Sequence, residues 1–174
     1  LFSSKGHDAP ALYSCYEALG YLKNKSLLTL RTLNGLPGHP DINTPNIKFN
    51  TGSLGMGISK ATGWISGGNL KKKLNNIIVI IGDGEFQEGQ NFESLMYLQN
   101  NPNINPLIIM DNNKIQSDTW TKKVKNYNLL KRKVESFNIE YFEINGHNFN
   151  EINKAIKRHF NKRKPSPTFI AANT

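Results

Sequence analysis

Two short polar segments carry the side chains whose chemistry is most informative. Asp83 stands between Gly82 and Gly84, and Asn113 follows thirty positions later. A carboxylate and a carboxamide offer hard oxygen ligands of the kind that Mg²⁺ takes in proteins, often together with phosphate oxygens. A glycine beside the carboxylate lets a phosphate group approach the main chain. The pair suggests a magnesium–diphosphate site, although each glycine group alone is also typical of an ordinary tight turn.

Both polar segments follow apolar runs that predict buried strands. Residues 77–81 and 107–110 are continuously apolar, which is typical of strands covered on both faces in a parallel sheet. Two more strands are predicted over residues 141–144 and 169–172. Because helical segments separate these strands, the sequence predicts an α/β fold with a mainly parallel sheet and helices on both faces. Ligands of such sheets bind at the carboxyl ends of the strands, where Asp83 and Asn113 lie.

Helical periodicity and residues typical of helix ends predict the helices that connect the strands. Asp8 is expected to cap the first helix, and Asn148 with Glu151 has capping-box spacing before the last. A short helix is predicted over residues 26–32 and a loop over residues 35–49. In chain order, the longer predicted helices are marked by Ala11, Leu12, Cys15, Tyr16 and Leu19; Ile58, Ala61 and Ile65; Phe92, Leu95, Met96 and Gln99; residues 128–137; and Phe149, Ile152, Ala155, Ile156 and Phe160.

Composition narrows the class of protein. The 174 residues carry a net charge of +9 and a single cysteine, Cys15, so an internal disulfide is impossible. No apolar run approaches the roughly 18 to 20 residues of a membrane span, so no membrane partner is expected. The basic residues are dispersed and have little aromatic interleaving, which favours solvated faces over nucleic-acid binding.

The ends of the sequence suggest a piece of a longer protein. The first residue is leucine and stands almost directly before a motif, while the last residues coincide with the end of a predicted strand. We therefore expect a single domain over residues 1–174, truncated at both ends. A cytoplasmic location is expected, and a targeting segment would lie in the missing sequence.

Several segments, in order along the whole chain, resemble the motifs of transketolases. The glycine-flanked Asp83 and the later Asn113 resemble the thiamine diphosphate motif of that family. Met56 stands where the family usually has glutamine. The other matching segments are Ser4-Lys5-Gly6-His7, Leu36-Pro37-Gly38-His39-Pro40, Thr51-Gly52-Ser53-Leu54-Gly55-Met56-Gly57, Gly82-Asp83-Gly84-Glu85-Phe86-Gln87-Glu88-Gly89-Gln90 and Gly146-His147. The resemblance is strongest to the separate N-terminal subunit of two-subunit transketolases.

The resemblance implies functional roles for some of these residues. Asp83, Asn113 and the main-chain carbonyl of Ile115 would be ligands of Mg²⁺, for which Ca²⁺ or Mn²⁺ could substitute. The implied cofactor is thiamine diphosphate. Its diphosphate would contact Gly84 and Asn113, and its rings would contact His7, Gly52, Ser53 and Leu54. His7 and His39 would be catalytic, with His39 near the carbonyl of the donor sugar. Glu88 would lie at a subunit contact that couples paired active sites.

The implied activity is transfer of a two-carbon ketol unit from a ketose phosphate to an aldose phosphate. The glutamate that activates the cofactor belongs to a pyrimidine-binding domain, which is absent, so this chain is expected to be inactive without it. That domain would lie in the same polypeptide or in a C-terminal transketolase subunit. The implied assembly is a homodimer or a heterotetramer.

Other interpretations stay open. A dihydroxyacetone synthase fits the same motifs, whereas the Gly38-His39-Pro40 and Gln87-Glu88-Gly89 segments argue against a 1-deoxyxylulose 5-phosphate synthase and a 2-oxo acid dehydrogenase. A non-catalytic scaffold subunit is a further alternative. Of the remaining histidines, His147 is expected to be structural in a turn and His159 to lie at the surface. Cys15 is expected in the core, and Glu88 could simply begin a helix.

Overall fold

The structure is a computed structural model, which describes residues 1–73, 75–124 and 128–174. The strands are β1 (Phe2–Ser3), β2 (Ile78–Gly82), β3 (Leu107–Asp111), β4 (Ile115–Gln116), β5 (Thr119–Trp120), β6 (Glu140–Asn145) and β7 (Thr168–Asn173). The α-helices are α1 (Ala9–Ala18), α2 (Gly57–Leu70), α3 (Gly89–Asn100), α4 (Thr121–Val124), α5 (Leu130–Glu135) and α6 (Phe149–Phe160). Two short 3₁₀ segments cover Ser26–Thr29 and Glu85–Gln87.

Five strands form one parallel sheet in the order β1-β2-β3-β7-β6. β2 and β3 are direct neighbours, and their register pairs Gly82 with Asp111. The prediction of a parallel α/β sheet is confirmed. β4 and β5 form a separate antiparallel hairpin directly after β3. Neither this hairpin nor the short strand β1 was predicted from the sequence.

The sheet is covered on both faces, as its apolar runs predicted. One face contributes Val79, Ile81, Ile108, Met110 and Phe169 to a core completed by α2, α3 and α5. The opposite face, which includes Leu107 and Ile170, packs against Ala155 and Ile156 of α6. Successive strand residues alternate between the two cores, so each strand must be apolar on both sides. Within the part of the chain that the structure describes, no helix is long and apolar enough to cross a bilayer.

The first helix differs from the prediction in both cap and phase. Ala9, Leu12 and Tyr13 are buried on α1, whereas Cys15 is exposed, so the expectation of a core cysteine is wrong. The buried residues follow the i, i+3, i+4 spacing from Ala9, and Cys15 lies on the other side of the helix. Asp8 occupies the N-cap position without a side-chain cap; its Oδ2 instead accepts a hydrogen bond from Ser3 Oγ at 2.6 Å.

The last helix has the expected cap and one unexpected buried residue. Asn148 Oδ1 accepts hydrogen bonds from the main-chain N–H groups of Asn150 and Glu151, which confirms the cap. His147 lies in the turn before it, as expected. His159, in contrast, is only 3% exposed, so the expectation of a surface histidine is wrong. It faces β7 from the last turn of α6, where the basic sequence around it had suggested solvent.

His159 belongs to a polar cluster at the opposite edge of the sheet from Asp83, beside the first residue of β7. Its Nδ1 lies 2.7 Å from Thr168 Oγ1, which also accepts from Lys162 Nζ. Burial lowers the pKa of His159 to about 4, and the Lys162 charge adds to this shift. The Glu140 charge and a hydrogen bond to the Asn105 main chain act in the opposite direction, but they are weaker. His159 is therefore neutral at neutral pH.

This lowered pKa predicts a specific loss of stability in mild acid. Below pH 6.5 the unfolded chain protonates His159, whereas the folded chain does so only near pH 4, so the unfolded state binds more protons between these values. The free energy of unfolding should fall by about 3 kcal/mol over this range from His159 alone. Urea titrations at several pH values should show a shallower fall for His159→Gln. Parallel profiles for both proteins would contradict the assignment.

Candidate active site

The carboxyl ends of β1, β2 and β3 bring the predicted site residues to one edge of the sheet. The main-chain N–H of Asp83 donates to the carbonyl of Asp111 at 3.1 Å, so the loops after β2 and β3 are joined where they leave the sheet. A cavity of about 970 Å³ opens at this edge. It is lined by seven of the predicted site residues: His7, Leu54, Asp83, Gly84, Glu88, Asn113 and Ile115.

Asp83 is only 2% exposed, and hydrogen bonds hold its side chain in one orientation. Its Oδ1 accepts from the N–H of Gly84 at 2.7 Å, and its Oδ2 accepts from Thr121 Oγ1 at 2.8 Å. Thr121 is buried as well and follows the β4–β5 hairpin, which folds the chain back toward Asp83. The two carboxylate oxygens are therefore positioned by two separate segments, the turn at Gly84 and the start of α4.

Asn113 is oriented by the residues at the two ends of its loop, Asp111 of β3 and Ile115 of β4. Its Oδ1 accepts from the N–H of Ile115 at 2.9 Å, and its Nδ2 lies 3.3 Å from Asp111 Oδ2. Because the amide nitrogen faces the Asp111 carboxylate, the oxygen must point the other way. Ile115 is half exposed, in the hairpin strand β4.

Asp111 in turn forms an ion pair with Lys5, which lies beyond the end of β1. The side chains are 11% (Lys5) and 22% (Asp111) exposed. Burial raises the pKa of Asp111, but hydrogen bonds from Lys5 and Thr174 and the charges of Lys5 and His7 together outweigh burial. The net pKa of Asp111 therefore lies below its ordinary value. Lys5 thus connects the segment that carries His7 with the segment that carries Asn113.

The two predicted catalytic histidines lie on adjoining turns. His7 Nδ1 lies 3.0 Å from the carbonyl of Lys5, which can only accept, so Nδ1 carries the proton. Whenever the ring is neutral, Nε2 is therefore its acceptor nitrogen. The His39 ring packs against Gly6 and Gly52, where an added Cβ would lie 2.5 and 2.6 Å from its Cδ2. These glycines, with φ of +76° and +104°, leave the space that the His39 ring fills.

Three other predicted site residues are not among those that line the cavity. His39, Gly52 and Ser53 do not line the cavity, but Leu54, next in the chain, does.

Gly84 is packed so closely that an added Cβ would lie 2.7 Å from Gln116 Cβ. Glu88 is exposed at the rim, in the N-cap position of α3, without capping it through its side chain. Its proposed subunit contact stays a prediction.

The donors at this edge suit a magnesium ion that is shared with phosphate. The described residues contain no group of three or more His, Cys, Asp or Glu side chains that could hold a metal by themselves. One carboxylate, one amide oxygen and a main-chain carbonyl are instead offered by Asp83, Asn113 and Ile115 around the same cavity. Mg²⁺ commonly takes one or two carboxylates and completes its shell with phosphate oxygens and water. The residues present therefore fit a Mg²⁺–diphosphate group.

Four further residues at this edge were not predicted as site residues. Lys5, Glu85 and Asp111 stand within or beside the motifs, but nothing in their spacing shows which partners they meet. Thr121 gave no signal, because it lies 38 positions from Asp83 and reaches it only through the unpredicted hairpin.

The arrangement of strands and loops around the cavity is that of a known protein family. The family described as "Transketolase, thiamine diphosphate binding domain" matches residues 1–174. The chain belongs to this family. The match includes every segment that lines the cavity. Its sheet is thus the thiamine diphosphate-binding fold of transketolases.

Individual transketolases agree with this membership. A 6-deoxy-6-sulfo-D-fructose transketolase subunit from Clostridium sp. (strain MSTE9) is 36% identical over 176 residues, covering 100% of this chain and 64% of the relative. An apulose-4-phosphate transketolase subunit from Actinobacillus succinogenes is 34% identical over 151 residues, covering 86% of this chain and 55% of the relative. The crystal structure of transketolase from Campylobacter jejuni superposes with a TM-score of 0.87 at 30% identity, covering 98% of this chain and 28% of that one.

Proposed function

We propose that this chain binds the diphosphate of thiamine diphosphate through Mg²⁺ and forms one part of a transketolase active site. The convergence of Asp83, Asn113 and Ile115 on one cavity supports the proposal most directly. These residues would hold the metal, for which Ca²⁺ or Mn²⁺ could substitute. Gly84 and Asn113 would contact the diphosphate.

Family membership supports ketol transfer as the reaction. When bound, thiamine diphosphate supplies an electron sink for a two-carbon fragment. His7 would accept or return a proton at Nε2, because Nδ1 already donates to the Lys5 carbonyl. His39, on the adjoining turn, would hydrogen-bond an oxygen of the donor sugar. Gly52, Ser53 and Leu54 would face the cofactor rings through their main chain.

The substrates and partner are proposed from the family and from what the relatives are called. Two of them are named as transketolase subunits, and one name specifies a phosphorylated sugar. We propose that sugar phosphates are the substrates and that a pyrimidine-binding domain, in the same chain or in a C-terminal subunit, completes the site. The completed protein, meaning this chain with that domain or subunit, would be a homodimer or heterotetramer with Glu88 at a contact.

The proposal predicts a cofactor-dependent activity of the completed protein. With xylulose 5-phosphate and ribose 5-phosphate, a coupled assay should show turnover that requires thiamine diphosphate and stops when a chelator removes the divalent metal. His39→Ala should lower kcat/KM at least about 100-fold, because a proton-transfer or hydrogen-bonding group is lost.

The matched control is His147→Ala, which removes an exposed turn histidine and should leave the rate unchanged. Turnover that survives metal removal would contradict the proposed role of Mg²⁺. Cofactor binding without turnover toward any ketose phosphate would instead favour a scaffold subunit.

A further inference from the structure

Glu85, a buried carboxylate among the residues that line the cavity, has no place in the roles proposed so far. It begins the short 3₁₀ segment directly after Gly84 and is only 3% exposed. Its Oε1 accepts from Ser4 Oγ at 2.5 Å and from the N–H of Gly55 at 3.0 Å. Its Oε2 accepts from the N–H of Gly82 at 3.1 Å. One side chain thus contacts three separate segments of the chain.

The three donors belong to the three segments that supply the site. Ser4 leads into the turn with Lys5 and His7, Gly55 directly follows Leu54, and Gly82 directly precedes Asp83. Ser4 is 81 positions and Gly55 30 positions from Glu85 in sequence. Glu85 is therefore a point at which the site segments meet, although no sheet pairing among the described residues joins the Gly55 loop to the others.

The three donor groups are shielded from water, so they depend on an acceptor within the protein. Ser4, Gly55 and Gly82 are all buried, and a buried N–H without an acceptor costs free energy comparable to a lost hydrogen bond. A carboxylate can serve all three donors because both its oxygens only accept. Such charge-assisted bonds are stronger than bonds between neutral groups. Glu85 is itself fixed, because Asn91 Nδ2 donates to its main-chain carbonyl at 2.7 Å.

Close packing between main-chain segments also restricts where the Gly55 loop can lie. Gly55 has φ of +83°, and an added Cβ there would lie 2.6 Å from Glu88 Cβ. An added Cβ on Gly57 would lie 2.4 Å from Ser4 Cβ. Gly55 and Gly57 therefore approach the segments of Glu88 and Ser4 as closely as glycine permits.

We propose that Glu85 is a positioning residue that sets the placement of the His7, Leu54 and Asp83 segments relative to one another. Its effect on ligand binding rests on the proposed function, whereas its effect on the segments does not. Glu85 would act on the cofactor through these segments, with its carboxylate oxygens occupied by Ser4, Gly55 and Gly82.

The local effect can be measured by amide hydrogen exchange in the protein without ligand. In Glu85→Ala, the amides of Gly55 and Gly82 should exchange at least about tenfold faster, because their acceptor is gone. The amide of Leu107, which donates to the Ile77 carbonyl within the sheet, should keep its rate. Glu85→Gln, which keeps one acceptor oxygen, should show an intermediate increase and serves if the alanine variant does not fold.

The control is Glu93→Ala, which removes an exposed carboxylate from α3 and should change none of these rates. Wild-type exchange at Gly55 and Gly82 in a folded Glu85 variant would overturn the proposal. An equal acceleration at Gly55, Gly82 and Leu107 would also overturn it, because that pattern reports general destabilisation alone.

The effect on ligand binding requires the completed protein. At a temperature where both proteins are folded, Glu85→Gln should bind Mg²⁺–thiamine diphosphate about 10- to 100-fold more weakly than the wild type, as for other residues that orient ligands. Calorimetric titration gives both affinities. Equal affinities would overturn the positioning role in binding. If the wild type itself does not bind the cofactor, the proposed function fails, and the exchange rates still decide whether Glu85 positions the segments.

Discussion

Replacement of Asp83 with alanine is expected to weaken the Mg²⁺-dependent binding of thiamine diphosphate by the completed protein at least about 100-fold. Asp83 is the single carboxylate among the proposed metal ligands, so its loss removes the only negative charge that the chain itself would supply to the ion. The change should also release the hydroxyl of Thr121 and the N–H of Gly84, which the carboxylate now holds. Isothermal titration calorimetry at saturating and at zero Mg²⁺ would measure the effect.

Asp118→Ala is the matched control for charge. Asp118 is exposed between the hairpin strands that follow Asn113. Its replacement changes the net charge by the same amount as Asp83→Ala, at a position close in sequence to Asn113. It should leave the affinity unchanged within about twofold, because exposed charges are screened by solvent. Equal affinities of the wild type and Asp83→Ala would refute the metal assignment, whereas equal losses in both variants would show that only overall charge matters.

The second large effect is expected at the ion pair of Lys5 and Asp111. Lys5→Met should lower the free energy of unfolding by about 3 kcal/mol, because it leaves the carboxylate of Asp111 largely buried without its cation. The same variant should weaken cofactor binding, since Asp111 also orients the amide of Asn113. Urea unfolding measures the first effect and calorimetry the second.

A double-mutant cycle with Asp111→Asn separates the pair from its parts. Lys5→Met with Asp111→Asn removes both charges and should recover most of the stability that Lys5→Met alone loses. The ion pair's contribution should be present above the ordinary pKa of Asp111 and lost as pH falls through its lowered pKa. Additive single losses in the cycle would show that the two side chains do not stabilise each other.

The fold and the placement of the main candidate site residues could be predicted because they depend on local patterns. The apolar runs before Gly82 and Asp111 specified strands covered on both faces, and the alternation of elements specified their parallel pairing. With the strands parallel, the polar residues after them had to meet at one edge. The placement of Asp83 and Asn113 around one cavity follows from those few facts.

The residues that orient the site could not be predicted in this way. Their partners are far away in sequence: Lys5 is 106 positions from Asp111, and Thr121 reaches Asp83 through a hairpin of two-residue strands. Such short strands have no periodicity to detect. The wrong predictions of a buried Cys15 and an exposed His159 have a related cause. Tertiary packing decides which side of α1 and which residues of the last turn of α6 are buried.

The long sequence separations within the polar network also bear on how the protein folds. The hydrogen bond from Ser4 to Glu85 and the ion pair of Lys5 with Asp111 close loops of 81 and 106 residues. Closing such long loops costs chain entropy, which pairing of β1, β2 and β3 in the sheet must first offset. The site should consequently be among the last regions to form. Cofactor capture during refolding would then report completion of the native topology and would lag behind the appearance of helical signal.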